Sequence, residues 1–138
     1  MKRIYKNRLL SLLATKFMIV IDVFVFLSTL LGGYLLIFKN GGGLPIASLA
    51  NSPFTSFFWP GLILTLIVGG THLLAAILLI RKNRYWMEGS SVAGFGILIW
   101  IFTEVYMTKG PHFLQIVYFV AGITNLTFTI FLQEGKRN

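Results

Sequence analysis

Four long apolar segments, separated by short polar stretches, set the pattern of the chain. They cover about residues 17–38, 57–80, 90–107 and 113–132. Each is close to the roughly 20 residues that a helix needs to cross the hydrocarbon core of a bilayer. The runs lack the alternation of a membrane β-strand, and a spanning helix satisfies its own backbone hydrogen bonds. The pattern predicts an all-α membrane protein, a four-transmembrane-helix bundle forming one domain over residues 1–138.

Composition agrees with this pattern and narrows the function classes. Hydrophobic residues make up 56% of the chain and charged residues 12%, whereas soluble domains carry about 25% charged residues. The chain has no cysteine, which excludes disulfides, thiolate metal sites and redox chemistry through a cysteine pair. A net charge of +8 would raise nucleic acid as a partner of a soluble protein. Here the basic residues flank apolar runs, so anionic lipid headgroups on the cytoplasmic side are the expected partner and nucleic acid is not.

The lysines and arginines are divided unevenly between the two sides that four crossings define. One side holds ten of the twelve, namely Lys2, Arg3, Lys6, Arg8, Lys16, Arg81, Lys82, Arg84, Lys136 and Arg137. The other side holds Lys39 and Lys109. By the positive-inside rule, both termini and the loop between the second and third spans are predicted to be cytoplasmic. So strong a bias argues against small exporters that work as antiparallel pairs.

The longest connection, residues 39–56, is predicted to lie on the outer side. Gly41-Gly42-Gly43 forms a flexible break. Pro45 suits the first turn of a short helix, and Asn51 and Pro53 suit its end. Two interpretations remain open for this loop. It is either a lid or plug over the outer end of the bundle, or a plain apolar connector.

Three polar residues are predicted to share one layer in the inner half of the membrane. From the inner ends of their spans, Asp22 lies at a depth of about 8 Å, His72 at about 12 Å and Asn125 at about 10 Å. Ionisable residues inside a membrane are costly and point to function. An Asp–His pair can carry a proton, because imidazole titrates near neutrality. The alternative is hydrogen bonding that holds the helices together.

A second set of polar residues is predicted nearer the outer side. Glu104 lies about 5 Å inside the outer end of the third span, with Trp100 one helical turn away on the same face. Gln115 and Tyr118 lie near the start of the fourth span. These four residues are predicted to line a ligand-binding pocket beneath the long loop. The alternative is that the Glu104 carboxylate reaches toward the interface and pairs with Lys109 or Gln115.

No motif of the chain indicates catalysis or a cofactor. His72 and Glu104 fall at different predicted depths and lack metal-ligand spacing, so no metal site is expected. The glycines lie inside apolar runs, where small residues allow close helix packing. The same small residues also fit the interface of a homo-oligomer. We therefore expect no cofactor, and enzymatic activity is the less favoured reading.

Several short motifs resemble those of a group of small, uncharacterised bacterial four-span membrane proteins. They are Leu44-Pro45, Ser52-Pro53-Phe54, Trp59-Pro60-Gly61-Leu62-Ile63-Leu64, Gly69-Gly70, Leu73-Leu74-Ala75-Ala76, Trp100-Ile101 with Glu104, and Leu114-Gln115 with Tyr118 and Gly122. The resemblance implies a bacterial plasma membrane and no particular activity. A looser likeness, in size and span count only, is to DoxX-like membrane proteins.

Three functions follow from these observations as hypotheses. The first is a non-enzymatic membrane protein that holds a hydrophobic ligand or a partner helix in its outer half. The second is a proton-linked small transporter or channel subunit that uses Asp22 and His72. The third is an enzyme that modifies a lipid or a quinone.

Overall fold

The computed structural model of the chain describes residues 2–43, 45–50, 52–108 and 113–137. Its helices are α1 (Lys2–Phe38), α2 (Phe58–Ile63), α3 (Gly70–Ile80), α4 (Trp86–Thr108) and α5 (Phe113–Arg137). A π-helical turn, Leu64–Gly69, joins α2 to α3, so the two form a single span. Four helices are therefore long and apolar enough to cross a membrane, and the described residues form no strand. The predicted all-α bundle of four membrane-spanning helices is confirmed.

Some helices are longer than the apolar segments from which they were predicted. The helix α1 begins at Lys2 instead of Phe17, and α4 begins at Trp86 instead of Ser90. Hydropathy marks only the part of a helix that lipid would cover, whereas backbone hydrogen bonding continues into the polar flanks. We call the end of the bundle formed by the start of α1, the 81–85 connection and the end of α5 the terminal end. The opposite end, which carries residues 39–57, is the loop end.

The interior of the bundle contains two apolar clusters, one toward each end. The loop-end cluster consists of Val25, Leu64, Val68, Ile97, Ile101 and Tyr118. The terminal-end cluster consists of Ala14, Met18, Leu79, Trp86 and Leu132. Many other large apolar side chains face outward, and Val20 and Ile99 are 63% and 66% exposed. Lipid tails are as apolar as these side chains, so a bilayer solvates the outer surface that water would not.

The second span has a wider turn in its middle. Thr65 and Thr71 each donate a side-chain hydrogen bond to a carbonyl four residues earlier, and the Leu64–Gly69 segment forms π-type backbone bonds. Leu64, Val68 and His72 are all buried at a spacing of four residues. This spacing exceeds the 3.6 residues of an α-helical turn, and the π turn accommodates it by adding a residue. The π turn therefore helps to aim His72 into the bundle.

The connection at the loop end folds back onto the bundle. Asn40, Gly41, Gly42 and Gly43 have φ angles of 52°, 95°, 60° and 97°, a region that glycine enters without steric cost. The predicted short helix is present as a 3-10 turn, Ile46–Leu49, that begins after Pro45 and packs against α4. Leu44 and Asn51 lie outside the described residues.

Candidate functional site

Asp22, His72 and Asn125 meet at the centre of the bundle, and we call them the polar layer. The His72 Nδ1 atom lies 2.9 Å from Asp22 Oδ1, and Asn125 Nδ2 donates to the same oxygen at 3.1 Å. An ionised carboxylate can only accept, so in that state His72 donates through Nδ1–H. One carboxylate oxygen thus joins α1, α3 and α5.

The polar layer lies between the two apolar clusters. Along α1, Asp22 stands between the buried residues Met18 and Val25. Along the second span, His72 stands between Val68 and Leu79. All three members of the layer have no exposed surface. The layer is therefore a polar site in an apolar environment, where electrostatic interactions are strong and desolvation is costly.

The polar layer has hydrogen-bonding capacity that the described residues do not use. Asp22 Oδ2, His72 Nε2 and Asn125 Oδ1 are buried without a hydrogen-bond partner among the described residues. The Ser90 hydroxyl, on α4, is buried in the same condition. Buried polar atoms are usually paired, so such a group marks a place that can take up a proton, a water or a polar ligand atom. The sequence alone did not single out Ser90, because a serine in a membrane-spanning helix is common at packing positions.

A second candidate site is a cavity of about 270 Å³ at the loop end, which we call the outer cavity. All four residues predicted for an outer pocket line it, together with two glycines of the loop. Its lining is Gly32, Leu35, Leu36, Gly41, Gly42, Leu64, Trp100, Glu104, Leu114, Gln115 and Tyr118. The structure thus brings Trp100, Glu104, Gln115 and Tyr118 to one cavity beneath the loop.

A hydrogen-bonded chain fixes one wall of the outer cavity. Tyr118 and Ser28 are joined through their hydroxyl groups. The Ser28 hydroxyl also donates to the Val25 carbonyl at 3.0 Å, so the Tyr118 hydroxyl is the donor to Ser28. Gln115, buried to 4% exposure, lies one helical turn before Tyr118. Ser28 escaped sequence analysis because a serine on an apolar helix is unremarkable until its partner is known.

The two candidate sites are separate. His72 belongs to the polar layer and Glu104 to the outer cavity, as their different predicted depths require. Among the described residues, no three side chains of His, Asp or Glu come close enough to hold a metal ion. Lys109, the alternative partner of Glu104, lies outside the described residues.

Comparison with known proteins does not assign a function, so the functional argument rests on these two sites. No protein-family model, curated protein or solved structure matches the chain. The resemblance to small four-span bacterial proteins therefore stays a prediction.

Proposed function

We propose that this chain is a non-enzymatic, multi-pass protein of a bacterial plasma membrane that holds a small hydrophobic ligand in the outer cavity. In this proposal both termini are cytoplasmic, because ten of the twelve basic residues belong to the terminal end. The observation that carries the proposal is the convergence of Trp100, Glu104, Gln115 and Tyr118 on one cavity beneath the loop.

The walls of the outer cavity favour a ligand that is mostly apolar and has one polar group. Ligand sites typically combine apolar walls with a few convergent polar groups and occupy roughly 300–1,000 Å³. At about 270 Å³ the outer cavity falls just below that range, so it suits a small molecule or one end of a longer one. Its lining comes from α1, the loop, the π turn, α4 and α5. A cavity lined by so many elements fits a small ligand better than a partner helix.

Glu104→Gln is expected to reduce ligand retention by about tenfold or more. The substitution keeps the size of the side chain and removes its charge, and a hydrogen bond to a charged group contributes about 1.5–3 kcal/mol. Native mass spectrometry of the full chain released from membranes would measure the fraction of protein that retains a bound molecule.

Glu88→Gln is the matched control for this experiment. It makes the same change on the same helix, at an exposed position of the terminal end. Equal ligand retention in Glu104→Gln, Glu88→Gln and the native chain would rule out the proposed role of Glu104. Loss in both variants would show that overall charge, and not the outer cavity, governs retention.

A second candidate function is proton-linked transport through the polar layer. The observation that favours it is the buried Asp22–His72 pair, whose second carboxylate oxygen and second ring nitrogen have no partner among the described residues. Intramembrane Asp and His residues in such positions commonly serve proton relays in transporters. If the pair served only to bond the helices together, the second carboxylate oxygen of Asp22 and the second ring nitrogen of His72 would have no role.

Asp22→Asn is expected to abolish proton movement while the protein stays folded. Asparagine has the shape of aspartate and can still hydrogen bond, but it cannot release a proton near neutral pH. Proton flux into liposomes containing the purified chain, followed with a pH-sensitive dye, provides the measurement. Thr127→Ala, on the exposed side of α5, is the control and should keep the native flux. A native chain that moves no protons under an imposed gradient would eliminate this candidate.

A further inference from the structure

A cavity of about 320 Å³ opens at the terminal end, away from both candidate sites, and we call it the basal cavity. It is lined by Ser11, Leu12, Thr15, Leu79, Lys82, Trp86 and Leu132. Three leucines and a tryptophan form its apolar part. Two hydroxyl side chains and the Lys82 amine form its polar part. The lining thus combines a hydrocarbon surface with a cation in one place.

The backbone places Lys82 at a position where glycine is the usual residue. The end of α3 has the two hydrogen bonds of a Schellman motif, from Lys82 N to Leu79 O at 3.3 Å and from Asn83 N to Leu78 O at 3.0 Å. Lys82 is the left-handed residue of this motif, with a φ of 52°. A side chain at such a position costs conformational energy that glycine avoids. A strained residue beside a cavity is grounds for a functional hypothesis about its side chain.

The surroundings of the basal cavity carry a strong positive charge. Arg8, Lys16, Arg81 and Arg84 are exposed on the same end of the bundle. Trp86, which lines the cavity, belongs to the residue type that settles at the boundary between hydrocarbon and headgroups. An amphiphile with a negative headgroup would complement both the charge and the apolar lining.

We propose that the basal cavity is a binding site for one acidic phospholipid molecule. Its phosphate lies against the Lys82 amine and the Ser11 hydroxyl, because the Thr15 hydroxyl donates its hydrogen to the Ser11 carbonyl at 2.8 Å. An acyl chain follows the leucines of the wall, Leu12, Leu79 and Leu132. This assignment is independent of the ligand proposed for the outer cavity at the other end.

Native mass spectrometry in mild detergent, with added phosphatidylglycerol or phosphatidylcholine of identical chains, tests the proposal. We expect the full chain to retain one phosphatidylglycerol in preference to phosphatidylcholine. Lys82→Asn is expected to weaken phosphatidylglycerol binding about tenfold, as for the loss of one hydrogen bond between charged groups. Asparagine tolerates the left-handed conformation, so this variant should keep the native thermal stability.

Arg81→Gln is the matched control, because it removes one charge from the adjacent exposed residue, which does not line the cavity. It should leave phosphatidylglycerol binding within twofold of the native value. Equal weakening by both substitutions would show diffuse attraction to the surface and overturn the site. So would equal retention of the two lipids, or undiminished binding in Lys82→Asn. A third arm with inorganic phosphate should show no retained adduct, and competition by phosphate at equal concentration would overturn the choice of a lipid.

Discussion

Replacing His72 with alanine is expected to lower the free energy of unfolding by about 3–5 kcal/mol. This change removes the imidazole that contacts Asp22 Oδ1 and leaves Asn125 as the remaining partner of that oxygen among the described residues. The Asp22 carboxyl has no exposed surface through which solvent could compensate. A buried polar or charged group that loses its partner is among the most destabilising changes that a single substitution produces.

A double-mutant cycle separates the interaction from the loss of packing. Asp22→Ala should cost a similar free energy, because it leaves two polar side chains facing an apolar void. The double variant Asp22→Ala/His72→Ala should cost less than the sum of the single variants by about 1–3 kcal/mol, since the second change removes the group that the first left unpaired. Unfolding by sodium dodecyl sulfate in mixed micelles, followed by circular dichroism, gives all three values.

An exposed threonine of α5 provides the control for this cycle. Thr127→Ala removes an exposed hydroxyl whose hydrogen bond, among the described residues, is to a carbonyl of its own helix, so it should change the unfolding free energy by no more than about 0.5 kcal/mol. Strictly additive effects of the Asp22 and His72 substitutions would mean that the pair contributes no coupling. Strong coupling without proton flux would identify the polar layer as interhelical bonding, and coupling with flux would support the transport candidate.

The shared depth of Asp22, His72 and Asn125 followed from counting residues along the spans. A membrane makes ionisable residues conspicuous, because they are rare and costly there. A helix rises by a fixed distance per residue, so each position in the sequence has a depth. The same counting separated Glu104 from His72 and assigned the four residues of the outer cavity to one level.

Contacts that depend on the rotation of one helix against another could not be derived in this way. Ser28 and Ser90 carry little free-energy cost in a membrane helix, so the sequence does not mark them as functional. Their role becomes visible only when the facing helix is known. The π turn is a change in backbone bonding within a continuously apolar run, and hydropathy does not register it. In the sequence Lys82 is one more basic loop residue, and the structure distinguishes it from Arg81 by its left-handed backbone and its place in the wall of the basal cavity.

The packing of α1 against the second span is another feature of this kind. A Cβ built on Gly33 would overlap Thr65 Oγ1 and would lie 3.3 Å from the Gly61 carbonyl oxygen. A Cβ built on Gly61 would in turn lie 3.3 Å from the Gly33 carbonyl oxygen and 2.9 Å from Leu36 Cβ. The two glycines therefore mark a place where the backbones themselves are in close approach, as small residues permit in membranes.

Gly33→Ala is expected to lower the free energy of unfolding by about 1–3 kcal/mol, the usual cost of overpacking. The new methyl group must displace Thr65, whose hydroxyl donates to the Gly61 carbonyl at 2.9 Å. Because Thr65 is β-branched, few alternative rotamers are open to it. The helices must then separate at a point where backbone lies against backbone, and unfolding in mixed micelles measures the loss.

A second substitution and a matched glycine test this mechanism. Thr65→Ala removes the overlapping hydroxyl, so the double variant Gly33→Ala/Thr65→Ala should be more stable than Gly33→Ala alone. Gly96→Ala is the control, since a Cβ built on Gly96 has no heavy atom within 4 Å. Alanine is the better helix former, so that change should be neutral or should stabilise by up to about 1 kcal/mol. Equal destabilisation by the Gly33 and Gly96 substitutions would show that helix flexibility, and not the close approach of α1 to the second span, requires these glycines.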